Sequence, residues 1–413
     1  MQTRSSLSGN LALLLTSAGI AYLIIEILVF RAALPLMPLK FHGYLGDLYT
    51  LAQSSKAQLK PKNYIALVGD SYAQGKGDWL LSADHRRNSP FHSAHVINKK
   101  TGQDVVTFGK SGAGSIDGIM INPIRNFRRI NSSLLYDLED PKTIVVYFYE
   151  GNDLNNNLRT IKKYITTKTA ERDIDRRLEA FVEDFFNKSA TSCSGIFGSA
   201  SCTGILGNAF AMRFMSNLAP DVIEDWMKFS RAEANPRQKI HRHRKKTAHI
   251  NKARVAGAVL NIPDTLQAPA IELNDNEHRV TVKAFEIALS RLRRFFPDTR
   301  IIVTVVPAPL TVYELASNQV SIQTYENRAA VNAAEEVEKT SNDICELVES
   351  ASSRVGADFI DVRDEIREVA LNKVIHGPQD WKHFNKEGYE ALGNALAAIL
   401  KNPLGPSAGC SPL

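Results

Sequence analysis

Five short runs, rich in β-branched and aromatic residues and apolar along most of their length, constrain the fold of this chain more than any other feature. They are "YIALVG" (residues 64–69), "DVVTFG" (104–109), "TIVVYFY" (143–149), "RIIVTVV" (300–306) and "DFIDV" (358–362). A strand with one wet face alternates apolar and polar residues, whereas a strand without alternation is buried on both faces, as in a parallel sheet. Most of the runs lead into a helical pattern, so the expected fold is a three-layer α/β domain around a parallel five-stranded sheet. With 413 residues, 44% hydrophobic and 23% charged, the chain has the apolar material for such a core. In sheets of this kind the chemistry gathers beyond the carboxyl ends of the strands, so the residues just past each run are the candidates for a site.

The first run ends in Gly-Asp-Ser and presents Ser71 beside Asp70, between Gly69 and Gly75. A serine hydroxyl is a poor nucleophile unless a neighbouring base takes its proton. The second run delivers "FGKSGAGS", a glycine-rich turn whose backbone N–H groups are free to face a developing oxyanion. It matches neither the P-loop pattern nor the dinucleotide fingerprint. Gly112 is the expected donor, with Gly109 and Gly114 as alternatives. The third run delivers "YEGNDLNNN", where the Asn152 side chain can offer an N–H to the same oxyanion; Gly-Asn-Asp is also ordinary turn chemistry. Pro307 and Pro309 after the fourth run shape a loop and carry no chemistry. Beyond the fifth, "DWKHFNKEGYEALGNALAAIL" sets Asp380 and His383 just ahead of an amphipathic helix. An imidazole is the usual base for a serine, and a carboxylate on its other nitrogen fixes the tautomer. His376, in "VIHGPQD", is a rival base without a carboxylate at a similar offset.

Taken in order, "GDSYAQG", "SGAGS", "GND" and "DWKH" followed by "FNKEGY" resemble the four blocks of the SGNH (GDSL-type) hydrolase superfamily, in a membrane-anchored bacterial member. The resemblance covers roughly residues 62–155 and 298–401. It implies a flavodoxin-like sheet and ester chemistry with no cofactor and no metal. It carries the nucleophile onto Ser71, the acid and base onto Asp380 and His383, and the oxyanion hole onto Ser71, Gly112 and Asn152. Tyr72 stands where the common pattern has leucine, and the second block is looser in register. The activity implied is that of an O-acyl (acetyl) esterase or O-acetyltransferase on cell-envelope or secreted polysaccharide, through an acyl-enzyme on Ser71. A lipolytic esterase or thioesterase, and a non-catalytic protein that binds anionic glycans on the same fold, are the alternatives.

Outside the sheet, "LALLLTSAGIAYLIIEILVF" (residues 11–30) has the length of a bilayer-spanning helix, with Glu26 its only charge. The run is longer than the apolar core of a signal peptide, and no clean cleavage site follows, so an uncleaved single-pass anchor is expected. A signal peptide or a buried core helix would be the other readings. Of the four cysteines, Cys193 and Cys202 share a Gly/Ser-rich loop where a short-range disulfide is sterically plausible. A disulfide there implies an oxidising compartment and a periplasmic or otherwise extracytoplasmic domain. There is no CxxC pair and no Cys/His spacing suited to zinc. The expected organisation is an anchor (1–35), a hydrolase core in two parts (60–155 and 281–402), a basic, mainly helical insertion or cap between them (156–280), and a tail (403–413). The basic stretch at 228–255 reads as a solvated face or loop, an anion-binding surface for acidic glycan or lipid headgroups, or, least of all, a nucleic-acid arm. It lacks the interleaved aromatics that bases stack on, and no nucleic-acid partner is expected. The expected partners are an acylated polysaccharide, the membrane and, for a transferase, a membrane acyl-donor protein.

Overall fold

The computed structural model describes residues 4–30, 44–46, 48–78, 92–131, 137–164, 176–184, 216–218, 250–326, 328–401 and 409–411, with positions 32, 34, 173 and 214 between them. The five predicted runs become β1 (Ile65–Gly69), β2 (Val105–Thr107), β3 (Thr143–Tyr149), β6 (Arg300–Val306) and β10 (Asp358–Asp361). They pair in parallel in the order β10-β6-β3-β1-β2, with Ile65 opposite both Val105 and Thr143. Read by strand number within the sheet this is 2-1-3-4-5, a doubly wound order whose direction of winding reverses beside β1.

The absence of alternation in these strands has the predicted cause. Along β3, Ile144, Val146 and Phe148 face one core, while Val145, Tyr147 and Tyr149 face another. The first core is closed by α4 (Asn122–Asn131), α5 (Asp153–Tyr164), α6 (Asp275–Phe295) and α7 (Ala334–Arg354). The second is closed by α3 (Ser93–Thr101), α8 (Arg363–Ala370) and α9 (Lys386–Lys401). Each large apolar side chain so buried stabilises the fold by about 1.5–3 kcal/mol before entropy is set against it. Local chemistry agrees with these packing choices. Helix α6 opens on a capping box in which Glu277 N–H donates to Asn274 Oδ1 at 3.0 Å and Glu277 accepts from the Asn274 N–H in return.

Smaller strands lie outside the main sheet. β4 (Lys252–Val255), β5 (Ala258–Asn261) and β7 (Glu314–Leu315) form an antiparallel sheet, and β8 (Gln319–Gln323) pairs with β9 (Ala329–Ala333). The end of the predicted helical insertion is therefore a β4–β5 hairpin, and α6 begins within its expected limits, at Asp275. Most of the insertion, including Cys193, Cys202 and most of the basic stretch, lies outside the described residues. The disulfide that is described joins Cys345, on α7, to Cys410 near the end of the chain. At the N-terminus, α1 (Arg4–Ile24) continues through Ile25–Phe30, and Ser8–Leu28 is long and apolar enough to cross a membrane. Its Leu13, Leu14 and Leu15 are exposed, and Glu26 is buried.

Candidate active site

The carboxyl end of β1 turns directly into a four-residue helix, α2 (Ser71–Gln74). Gly69 makes the turn at φ +145°, where a Cβ would stand 2.6 Å from the Tyr147 carbonyl oxygen. Asp70 caps the helix, its Oδ1 accepting from Tyr72 N–H at 2.8 Å. Ser71, the first helical residue, is buried with 3% exposure.

His383 Nε2 lies 2.9 Å from Ser71 Oγ, and His383 Nδ1 lies 2.6 Å from Asp380 Oδ2. The second oxygen of Asp380 accepts from Lys382 N–H at 2.9 Å. With Nδ1–H donating to the carboxylate, Nε2 is left as an acceptor for the serine proton. Burial alone would raise the Asp380 carboxyl. The hydrogen bond and charge of His383, with the Lys382 and His383 N–H groups, outweigh it and hold the group below its usual value. The rival base is elsewhere. His376 is fully buried, with Nδ1 3.1 Å from Tyr313 Oη and its ring 5.0 Å from Phe384. Burial, followed by the nearby charge of His383, lowers it to about 3, so it stays neutral.

Asn152 enters from the turn after β3. Its Nδ2 donates to Asp70 Oδ2 at 3.2 Å, and Ser71 Oγ lies 3.2 Å from the same oxygen. One buried carboxylate oxygen thus gathers the serine and the amide side by side. Gly112, at φ +72°, forms the tip of the turn after β2. Around it Lys110 N–H donates to the Gly69 carbonyl at 3.1 Å, Ser111 N–H to Gln74 Oε1 at 2.9 Å, and Ala113 N–H to the Lys110 carbonyl at 3.2 Å. Gly109 N–H is spent on Thr107 Oγ1 at 3.1 Å, which removes it as the alternative donor. Gly112 and Gly114 remain.

Two acids beneath the serine carry no signal of their role in the sequence. Asp70 and Asp153 are both fully buried. Burial raises the Asp70 carboxyl against the bonds from Tyr72, Asn152 and Ser71 and the charge of His383. Asp153 is pushed well above its usual value, by burial first and then by the Asp70 charge. Its Oδ2 accepts from Tyr149 N–H at 3.3 Å, and its Oδ1 has no partner among the described residues. The "GDS" and "GND" acids are legible as residues, but only tertiary packing brings them together.

No family model matches this chain, and no curated protein matches it. Solved structures give distant likenesses. A phospholipase A1 from Streptomyces albidoflavus NA297 is 12% identical, with TM-score 0.37, over 83% of this chain and 99% of that one. A carbohydrate esterase family 2 enzyme with a carbohydrate-binding domain, from Corynascus thermopiles (Myceliophthora fergusii), is 12% identical with TM-score 0.34, over 84% and 68%. An acetyl xylan esterase from the rumen bacterium Butyrivibrio proteoclasticus is 11% identical with TM-score 0.33, over 84% and 65%.

Proposed function

We propose that the chain is a membrane-anchored serine esterase or O-acyltransferase that removes or transfers small acyl groups on envelope or secreted polysaccharide. The observation that carries this reading is the continuous contact from Ser71 Oγ through His383, at 2.9 Å, to Asp380, at 2.6 Å. In this reading Ser71 Oγ attacks the ester carbonyl carbon as its proton passes to His383 Nε2. Asp380 steadies the imidazolium, and the oxyanion is met by the N–H groups of Ser71 and Gly112 and by the Asn152 amide. The carbon–oxygen bond to the leaving alcohol breaks as His383 returns the proton. Water, or a sugar hydroxyl deprotonated by the same histidine, then releases the acyl group from Ser71.

A small acyl group suits the described rim, which is polar: Gln74, Lys110, Ser111 and Asn156 border the turn carrying Gly112. The helix Ser8–Leu28 supports anchoring, and the disulfide described supports an oxidising compartment.

The test is to treat the detergent-solubilised full chain with a fluorophosphonate probe and map the adduct by peptide mass spectrometry. An adduct on Ser71 that is lost in Ser71→Ala and falls sharply in His383→Ala is expected. A folded sample that forms none favours the glycan-binding alternative. With an acetyl donor and a glycan acceptor, label in free acetate marks an esterase and label in sugar a transferase. A preference for long acyl chains would instead mark a lipolytic enzyme.

A further inference from the structure

The sheet does not by itself bring Ser71 and His383 together. β1 and β10 are separated by β3 and β6, so their ends stand about 14 Å apart across three strand spacings. After β10 the chain runs through α8 and returns over the carboxyl edge of the sheet as residues 371–385. Some further contact must set the 2.9 Å between His383 Nε2 and Ser71 Oγ.

The segment immediately after the nucleophile supplies it. Tyr72 Oη donates to the carbonyl oxygen of Lys382 at 2.9 Å, one peptide before His383. Its ring is fully buried, 4.4 Å from Tyr149, 5.0 Å from Phe384 and 5.5 Å from the His383 ring. Six residues on, Asp78 accepts from Gln379 N–H at 2.8 Å with one oxygen and from Asp380 N–H with the other. Between them, Gly77 comes so close to the returning loop that a Cβ would stand 2.2 Å from the Phe384 carbonyl oxygen. Tyr389 Oη, on α9, donates to the Lys76 carbonyl at 2.6 Å.

The loop seized in this way is closed on itself. Gly377 N–H donates to the Asp380 carbonyl at 3.1 Å and Asn385 N–H to the Ile375 carbonyl at 2.9 Å. Tyr313 Oη accepts from the N–H groups of Ile375 and His376 at 2.9 and 3.0 Å. A loop so braced moves as one piece, and its placement is decided where it is gripped.

We propose that Tyr72 and Asp78 are positioning residues, a backbone clamp that fixes the Asp380–His383 pair against Ser71. The proposal rests on the catalytic reading of these residues given above. It also gives the departure at position 72 a purpose, since a leucine has no hydroxyl to offer Lys382.

The test compares the detergent-solubilised full chain with Tyr72→Phe, Asp78→Asn and the double variant, with Ser71→Ala and His383→Ala as references. Steady-state hydrolysis of p-nitrophenyl acetate, labelling of Ser71 by the fluorophosphonate and the thermal midpoint are measured. Tyr72→Phe keeps every ring contact and removes the hydroxyl that donates to the Lys382 carbonyl. Each single variant is expected to lose about tenfold in kcat and in labelling rate, with KM within about twofold. The thermal midpoint stays within about 3 °C. The double variant loses less than the product of the two, because both grips hold one loop. A kcat unchanged in both single variants, while the wild type labels at Ser71 in a His383-dependent way, overturns the clamp. So does a loss of kcat that only follows a fall in thermal midpoint. A folded wild type that never labels at Ser71 overturns the catalytic reading itself, and the clamp with it.

Discussion

At the scale of single residues, the acids around Ser71 have opposite relations to pH. Asp380 is held below its usual value, so it stabilises the folded chain above the ordinary carboxylate range, a contribution lost as pH falls through its folded value. Asp153 is the reverse case. Its folded value is raised, so the native chain keeps a proton that the unfolded chain gives up, and stability falls as pH rises from about 4 towards that folded value. Asp153→Asn removes this burden while keeping an oxygen for the Tyr149 N–H. We expect its thermal midpoint to exceed the wild type by a few degrees at pH 7 and to converge with it near pH 4, by calorimetry across that range. A variant that is less stable at pH 7 would mean the carboxylate is wanted ionised. Asn152 is the second case at this scale. Asn152→Ala withdraws one proposed oxyanion donor, and kcat on p-nitrophenyl acetate is expected to fall by about 10²–10³ with KM little changed. An unaltered kcat would return Asn152 to turn chemistry.

At the scale of elements, the chain's legibility comes from what each segment must bury. β1 and β3 are readable because Ala66 and Val68, or Ile144 and Val146, meet one core while their neighbours meet the other, which leaves an unbroken apolar run in the sequence. β5 is not readable, because Ala258, Val259, Leu260 and Asn261 are all exposed and no burial pattern marks them. The site divides in the same way. Ser71, Asn152, Asp380 and His383 declare themselves by residue type at a strand end or before a helix. The grips of Tyr72 and Asp78 join positions some three hundred residues apart, a separation at which no local pattern exists. Another buried link joins helix to sheet: Arg363, fully buried at the start of α8, pairs with Asp361 at the end of β10 at 2.8 Å and donates to Ser341 Oγ on α7 at 3.0 Å. Arg363→Met leaves the Asp361 carboxylate uncompensated and is expected to cost about 3–5 kcal/mol in urea unfolding. Adding Asp361→Leu should recover part of that loss, and a double variant as unstable as the single would show that the ion pair is not what Arg363 contributes.

At the scale of the whole molecule, the two ends of the chain are committed in different ways. One end carries Ser8–Leu28, long and apolar enough to cross a membrane, and the other is tied into the core. Cys410 is bonded to Cys345, its N–H donates to Glu349 at 3.3 Å, and the next residue takes part in the buried ion pair. There Ser411 N–H reaches Asp361 Oδ2 at 3.1 Å and Arg363 reaches the Ser411 carbonyl at 3.0 Å. Closeness along the chain points to Cys193 with Cys202, whereas Cys345 and Cys410 are 65 residues apart, with the end of α7 and then β10, α8 and α9 between them. A cross-link over that span removes enough freedom from the unfolded chain to stabilise the fold by about 4 kcal/mol. Cys410→Ser should therefore lower the apparent thermal midpoint of the solubilised chain by on the order of 10 °C. Wild type treated with a reductant should fall to the same temperature, and reductant should leave the effect of Cys410→Ser unchanged. If reductant lowers the wild type further than the substitution does, a second disulfide contributes, and Cys193 with Cys202 is the pair to substitute next. If neither treatment moves the midpoint, the thiols are reduced in the native protein, and the oxidising, extracytoplasmic setting inferred for the domain fails with them.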